Sequence, residues 1–481
     1  MSRKFPLLFV LCALGCVTEP PEFLPPPFGP KEPTNTRLFF PTGLALHKSG
    51  ALIVANGNSN HAYDGGTLVV IRKSYLKSVF DRGLSCDAFP TPDKNCDDDV
   101  SGHPGTVFGP EGSDGNHGSV IIGNYAGPVA LNDDGSRAYT ASRDVNTLNA
   151  VAIDTDLNLT CAPGAGATTN DCRKGLIDLG ASGVLGPFSI ARGVVTLPGE
   201  NPRPALFVSA MIPRIDSIAS GTLNTSAVVA ALDMADPSRL LYTTLSGSEF
   251  VAAVTAGQGT AVGPMLFDPV RHQLVLGGCF QRFQGTGAGE PGTGRCIGIG
   301  FNYLRFLDSN AQLAALPELF DLYPDVASVE TTGMAFGDFD EKTGAPMSLW
   351  VTLRNPDVLA QVELPLLPSV PPRVRRVVPL PVSPAEVARI PRPNKGADLI
   401  AVAAEKSGAV AIYDTGVQQV VAQVERLGDS PFTIQVLPPS EDGKSARLAV
   451  TVFRSCGIAL LEVPYDQPWN ATLRGRVGKC Q

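Results

Sequence analysis

Three arginines stand where chemistry could be gathered. Arg143, Arg354 and Arg454 each sit in a short polar turn just after an apolar, strand-like run; Glu405-Lys406 and Asn56-Gly57-Asn58 hold the same place in two similar runs. Brought to one mouth, the cations Arg143, Arg354, Arg454 and Lys406 would favour an anionic ligand or a carboxylate-bearing partner loop. The plainer alternative is a set of solvated turns whose arginines pair with nearby acids. A second group is Asp93, Asn95, Asp97, Asp98 and Asp99, followed by His103, Asp114 and His117. Hard oxygen donors at alternate positions (Asp93, Asn95, Asp97, Asp99) suit Ca²⁺, but neither the glycine nor the closing glutamate of an EF-hand follows. Cys96 within the run equally suits a disulfide-pinned surface loop. His61, close to Asp64, has the make-up of a general base. Nucleophilic catalysis also needs a nucleophile and an orienting acid, and four of the five histidines precede residue 120, so they form no recurring set. They are expected at the surface. GxSxG, Walker, HExxH and dinucleotide signatures are missing from any strand-then-helix setting, and no catalytic residue is assigned.

The elements that must position these residues repeat. In Gly127 to Asp154, GPVALNDDGSRAYTASRDVNTLNAVAID, a Gly-Pro opening leads to a short apolar run. A reverse turn at Asn132–Gly135 comes next, with glycine where positive φ is expected. Two further strand-like runs follow, Ala138–Ala141 and Leu148–Ile153. The same figure opens at Pro41, Pro187, Gly263-Pro264, Thr331, Pro384 and Ser430-Pro431, making seven copies. The third run of the fourth copy is placed at Phe301–Asp308. A further strand-like piece precedes the next opening, as at Arg373–Leu380 and Gln419–Arg426. About four strands per copy is the count of a propeller blade. The fold class is therefore all-β, a seven-bladed β-propeller of four-stranded antiparallel blades over 37–481. Leu38-Phe39-Phe40 or Thr472–Val477 is expected to close the ring by strand pairing. Gly 50 and Pro 42 in 481 residues, with few Trp and Met, agree with short strands and many turns. Three long insertions, Phe80–His117, Gly164–Leu185 and Gln281–Ile299, interrupt the copies. A division into two domains near Pro365–Pro372 is the rival organisation.

AYTASRDVNTLNAVAID resembles the repeat of the YVTN / YncE-like family of seven-bladed propellers: an aromatic-Val-Thr-Asn-like strand, a polar turn, then a strand ending in Ile-Asp. The second and sixth copies match it best. That family holds binding proteins, surface-layer proteins and some enzymes, so the resemblance implies a fold more than an activity.

The N-terminus has the make-up of a targeting segment. Arg3 and Lys4 precede the apolar Phe5–Leu14, which ends Ala13-Leu14-Gly15-Cys16. This resembles the bacterial lipoprotein signal, which implies removal of residues 1–15 and lipidation of Cys16. Val17 after that cysteine implies the outer membrane. Residues 16–36, rich in proline, are expected to form an extended tether holding the body off the membrane. Eight further cysteines fall as neighbours, Cys86 and Cys96, Cys161 and Cys172, Cys279 and Cys296, Cys456 and Cys480. Local disulfides in an oxidising compartment are the simplest pairing.

A net charge of -8 disfavours nucleic acid as a partner. The expected function is a lipid-anchored, monomeric binding or scaffolding module for an envelope protein or glycan, contacted through the insertion loops and without a cofactor unless Ca²⁺ binds. The alternative is a lactonase-like hydrolase or an oxidoreductase-type propeller with its site at the funnel.

Overall fold

A computed structural model describes residues 23–28 and 37–478, apart from 89–90, 99, 101–102, 110–117, 145–146, 163–169, 174–176, 179–184, 197–199, 214–224, 237–239, 244–261, 283–294, 304–317, 321, 323–328, 366–369 and 394–395. The signal segment, Cys16, Asp99, Asp114, His117 and Cys480 lie outside the described residues.

The first sheet holds β1 (Pro41–Leu46), β2 (Leu52–Asn56), β3 (Gly66–Ile71) and β5 (Ser119–Ile122). Between β3 and β5 the chain forms helix α1 (Lys73–Asp81), the two-residue strand β4 (Asp97–Asp98) and the short helix α2 (Pro104–Val107). The second sheet holds β6 (Ala126–Leu131), β7 (Arg137–Ser142) and β8 (Thr147–Ile153), with its outer strand split into β9 (Leu159–Cys161) and β10 (Ile177–Asp178). The third is β11 (Leu185–Val195), β12 (Arg203–Pro213), β13 (Thr225–Asp233) and β14 (Leu240–Thr243). The fourth is β15 (Val262–Asp268), β16 (Gln273–Arg282), β17 (Arg295–Tyr303) and β18 (Glu318–Phe320). The fifth is β19 (Glu330–Phe339), β20 (Pro346–Arg354), β21 (Val358–Glu363) and β22 (Arg373–Pro379). The sixth is β23 (Pro384–Ile390), β24 (Leu399–Ala404), β25 (Ala409–Asp414) and β26 (Gln419–Val424). The last is β27 (Pro431–Leu437), β28 (Ser445–Val452), β29 (Gly457–Pro464) and β30 (Thr472–Val477).

Within each sheet the consecutive strands pair antiparallel, and the innermost strands β1, β6, β11, β15, β19, β23 and β27 touch one another in succession, with β27 against β1. The fold is an all-β propeller built of four-stranded antiparallel blades. The middle strands read as nearly unbroken apolar runs, such as Leu399–Ala404 and the Ala409–Tyr413 stretch of β25, because both of their faces are covered by adjacent sheets. Buried side chains accordingly form clusters between neighbouring sheets. The sheet containing β21 and β22 spans residues 365–372, so a domain boundary there would cut one sheet.

Every innermost strand begins with a register shift, from Pro41/Gly43 and Ala126/Val129 to Pro384/Val387 and Pro431/Ile434. In β1, β19 and β27 a threonine set out of the ladder by the bulge stitches to the next sheet. Thr42 Oγ1 donates to the Ala126 carbonyl at 2.7 Å, Thr332 Oγ1 to that of Pro384 at 2.9 Å, and Thr433 Oγ1 to that of Thr42 at 2.8 Å. Gly43 is required there, because a Cβ would meet the Gly127 carbonyl oxygen at 2.4 Å. Just ahead of the opening prolines, Phe40, Ser383 and Ser430 adopt positive φ, and their carbonyls accept the amides of Gly57, Glu405 and Phe453.

Three expectations change. Of the two segments expected to close the ring, Leu38-Phe39-Phe40 forms no strand, whereas Thr472–Val477, as β30, is the fourth strand of its own sheet and does pair toward the first. The first insertion supplies its partner. Its β4 adds to the free edge of β30 in parallel, the Cys86 amide donates to the Leu473 carbonyl at 2.8 Å, and the Arg476 and Gly478 amides donate to Cys96 and Asp98. Phe80 and Val79 of α1 join a core cluster with Leu460 and Val477. Secondly, the third strand of the fourth sheet is Arg295–Tyr303, not Phe301–Asp308, because the β16–β17 hairpin runs on through Arg282↔Arg295, into the stretch expected to be insertion. Thirdly, the described part of the proline-rich segment, residues 23–28, is not an extended spacer. It turns, with the Phe28 amide donating to the Pro25 carbonyl, and buries Pro25 and Pro26.

Disulfides Cys86–Cys96 and Cys161–Cys172 form as expected, and Cys456 is disulfide-bonded. Cys279 and Cys296 lie on β16 and β17, but their side chains are outside the described residues. The second insertion repeats the device of the first: Asn170–Cys172 runs beside β5, with the Cys172 amide donating to the Ile121 carbonyl. Each braced insertion thus covers the outer edge of the preceding sheet. Replacing Cys86 and Cys96 together by serine should lower unfolding stability by about 2–4 kcal/mol. It should also speed amide exchange along β30 more than along β22, as hydrogen-exchange mass spectrometry would show.

Candidate functional site

The sheet register brings the three arginines to one end of the ring. The start of each innermost strand pairs with the end of the second strand, as in Pro41↔Asn56, Ala126↔Ser142, Glu330↔Arg354 and Pro431↔Val452. The turns after the second strands therefore surround the mouth where the innermost strands begin. Arg143, Lys406 and Arg454 are exposed there. Arg143 keeps solvent contact, yet the surrounding protein desolvates it and lowers the pKa of its guanidinium, as expected of a group set within a mouth. Arg354 is spent on architecture: Nη2 meets Glu405 Oε2 at 2.7 Å and Nε donates to the Pro384 carbonyl at 3.1 Å, tying the fifth sheet to the sixth. Acids share this end, among them Asp64, Asp144, Asp357 and Asp429, so the mouth carries mixed charge.

Sequence reasoning missed the residue with the strongest perturbation here. Glu386 occupies the bulge of β23, the position at which Thr42, Thr332 and Thr433 stitch neighbouring sheets. Its carboxylate makes the same link with the polarity reversed, accepting the Ile434 amide at 3.1 Å. Its side chain is only half-buried, but protein surrounds it closely, and that desolvation raises its pKa to about 7 against the opposing hydrogen bond from the Ile434 amide. The legible signal was a polar residue two places after the opening Pro in PFT and PAE, amid an otherwise apolar run.

The acidic run serves the joint between first and last sheets. Asp93 Oδ2 accepts the Ser85 amide at 2.6 Å, and Asp97 pairs with Arg476 at 2.5 Å. Asp98 lies 2.6 Å from Arg82 and 3.2 Å from His103. Burial opposes its charge, but Arg82, the Tyr75 hydroxyl and His103 outweigh that and hold the carboxyl below its usual range. Asn95 occupies a positive-φ turn position. Among the described residues no group of three or more His, Cys, Asp or Glu side chains is placed to hold a metal ion.

The histidines are dispersed. His61 lies at the mouth with its ring edge-on to Tyr125 at 4.8 Å, whereas His272 lies in the β15–β16 turn at the opposite end. His47, expected at the surface, is buried: Nε2 lies 3.1 Å from the Gly135 carbonyl oxygen and Nδ1 2.8 Å from Ser49 Oγ, so it locks the first turn of one sheet to that of the next. Burial lowers its pKa despite the Gly135 contact. Gly135 takes φ 73° and leaves room for the ring, which a Cβ would meet at 2.6 Å.

The opposite end has another character. Exposed large apolar side chains stand in or beside its turns on four successive sheets: Val270 on the fourth, Phe339, Met347 and Val370 on the fifth, Val417 on the sixth and Trp469 on the last. Trp469 is 59% exposed and Val417 58%.

No protein-family model matches this chain, and neither does any curated protein. Among solved structures, the chain is similar to a protein from Lactobacillus plantarum at 13% identity and a TM-score of 0.41, covering 79% of this chain and 82% of that one. Hydrazine synthase from Kuenenia stuttgartiensis is similar at 14% identity and a TM-score of 0.42, covering 79% and 84%. The dihydro-heme d1 dehydrogenase NirN, in complex with DHE, gives 13% and 0.38, covering 95% of this chain and 79% of its own. Likenesses this distant carry no activity, ligand or partner to this chain.

Glu386 gives a pH dependence with a definite sign. Its folded pKa, about 7, lies above the ordinary 4.5, so its contribution to stability is fully present below pH 4.5 and is lost as pH rises through 7. Glu386→Gln should be more stable than the parent above pH 7, on the order of 1 kcal/mol, with the difference fading toward pH 5. Urea titrations across that range would measure it.

Proposed function

We propose that this chain is a lipid-anchored envelope protein, held through Cys16 at the outer membrane, whose seven sheets form a closed seven-bladed ring acting as a monomeric binding module for a protein partner. The observation that carries the reading is the row of exposed apolar side chains at the end opposite the mouth. A row of exposed large apolar groups along one end favours docking of another macromolecule, where aromatic anchors supply most of the affinity. A protein partner suits Trp469, Phe339 and Met347 better than a polar glycan does. The first two insertions, surfaces to consider for contact, are engaged through their described residues in covering sheet edges. The hydrolase reading loses weight because His61 is the one described histidine at the mouth, and its ring packs on Tyr125.

Crosslinking in native cells followed by purification tests this. A defined envelope partner is expected with the parent and should be lost with Cys16→Ala. Met347→Asp with Trp469→Asp should reduce capture at least tenfold, about 1.4 kcal/mol or more, while leaving the urea midpoint unchanged. Capture undiminished by the pair of substitutions would place the contact elsewhere.

A further inference from the structure

Resting on the lipid anchor proposed above, the geometry points to an orientation: we propose that the mouth end of the ring lies against the bilayer surface, with Phe23, Val382 and Phe432 in the headgroup region, and that the apolar opposite end faces away from it. The docking of residues 23–28 is the first support. Phe23 stacks on Tyr63 with ring centroids 5.5 Å apart, and it exchanges backbone and side-chain hydrogen bonds with Asp64. Tyr63 and Asp64 belong to the turn between β2 and β3, one of the turns around the mouth. That turn is itself fixed: Asn58 Nδ2 donates to Asn124 Oδ1 at 2.5 Å and to the Tyr63 carbonyl at 2.7 Å, and Arg173 donates to the Asp64 carbonyl at 3.0 Å. The chain therefore leaves the body at the mouth end.

Reach is the second support. Six residues lie between Cys16 and Phe23, and whatever their conformation the seven Cα-to-Cα steps span at most about 25 Å. A lipid on Cys16 consequently keeps the mouth close to the bilayer, whereas the far turns would have to be reached around the whole height of the ring. The third support is what faces the bilayer. Phe23 is 45% exposed, Phe432 41% and Val382 54%, and they stand on the docked segment and the openings of the last and sixth sheets. The first and last of these sheets adjoin there, through the ring contact of Phe40 with Phe453. Exposed apolar side chains backed by a rigid body suit shallow insertion among headgroups. With acids and bases mixed at the mouth, the contact is apolar in character.

The test uses the full-length lipidated protein in vesicles of phosphatidylethanolamine and phosphatidylglycerol that carry a headgroup-bound fluorescence quencher. One fluorophore is placed at the mouth through Val382→Cys, or at the far end through Val270→Cys. The expected result is several-fold stronger quenching at residue 382 than at 270, surviving high salt. Tyr63→Ser with Asp64→Ala should abolish the difference while the protein still floats with the vesicles. Flotation with equal quenching at both positions, or stronger quenching at 270, overturns the orientation and leaves the anchor standing. A difference that survives the double substitution overturns the role given to the docked segment. Protein that fails to float and carries an unmodified Cys16 overturns the anchor and the orientation with it.

Discussion

The constraint on which the structure depends is the free edge. A sheet of four strands exposes a row of unpaired backbone groups at its outer strand, and a ring of such sheets must also be joined where it begins and ends. Here the last sheet is complete without borrowing a strand from the first. The joint is instead made by the β27 to β1 contact inside and by the first insertion outside, which lays β4 on β30 and its helix on the last sheet's core. Insertion length that could have been spent on a binding loop is thereby spent on closure.

The same economy explains the disulfides. Cys86–Cys96 and Cys161–Cys172 each close a short loop at an insertion that lies along a neighbour's edge. A two-residue strand such as β4 has too few ladder bonds to hold itself in place. The crosslink limits the conformations of its loop, and the ion pairs of Asp97 and Asp98 fix its register. Carboxylates that read as metal ligands by spacing are, where described, partners of arginines and backbone amides.

At the inner end of the sheets a second set of small interactions does what edges do outside. A bulge in β1, β19, β23 and β27 turns a side chain toward the next sheet, and threonine hydroxyls or the Glu386 carboxylate complete the bridge. The mouth thus combines stitched backbone and mixed charge with the exposed Phe23, Val382 and Phe432, and the far end combines tight turns with a longer row of exposed apolar groups. Those two ends give the body a direction.

The strand pattern was legible because it is local. Apolar runs of four to eight residues, opening prolines and the turn at Asn132–Gly135 report backbone geometry and burial of the nearest residues. The placement of Arg143, Arg354 and Arg454 at one end followed from the repeat alone, since equivalent positions in equivalent units come together. Neighbouring cysteines likewise named the two short disulfides. Only the tertiary structure could decide what depends on chain segments far apart in sequence. That Arg354 is bound by Glu405, that Asp97 meets Arg476, that His47 is buried against Gly135 and that Phe23 docks on Tyr63 are all contacts between distant segments. No local pattern encodes them, because each arises from which sheet edge or turn the folded ring happens to bring alongside.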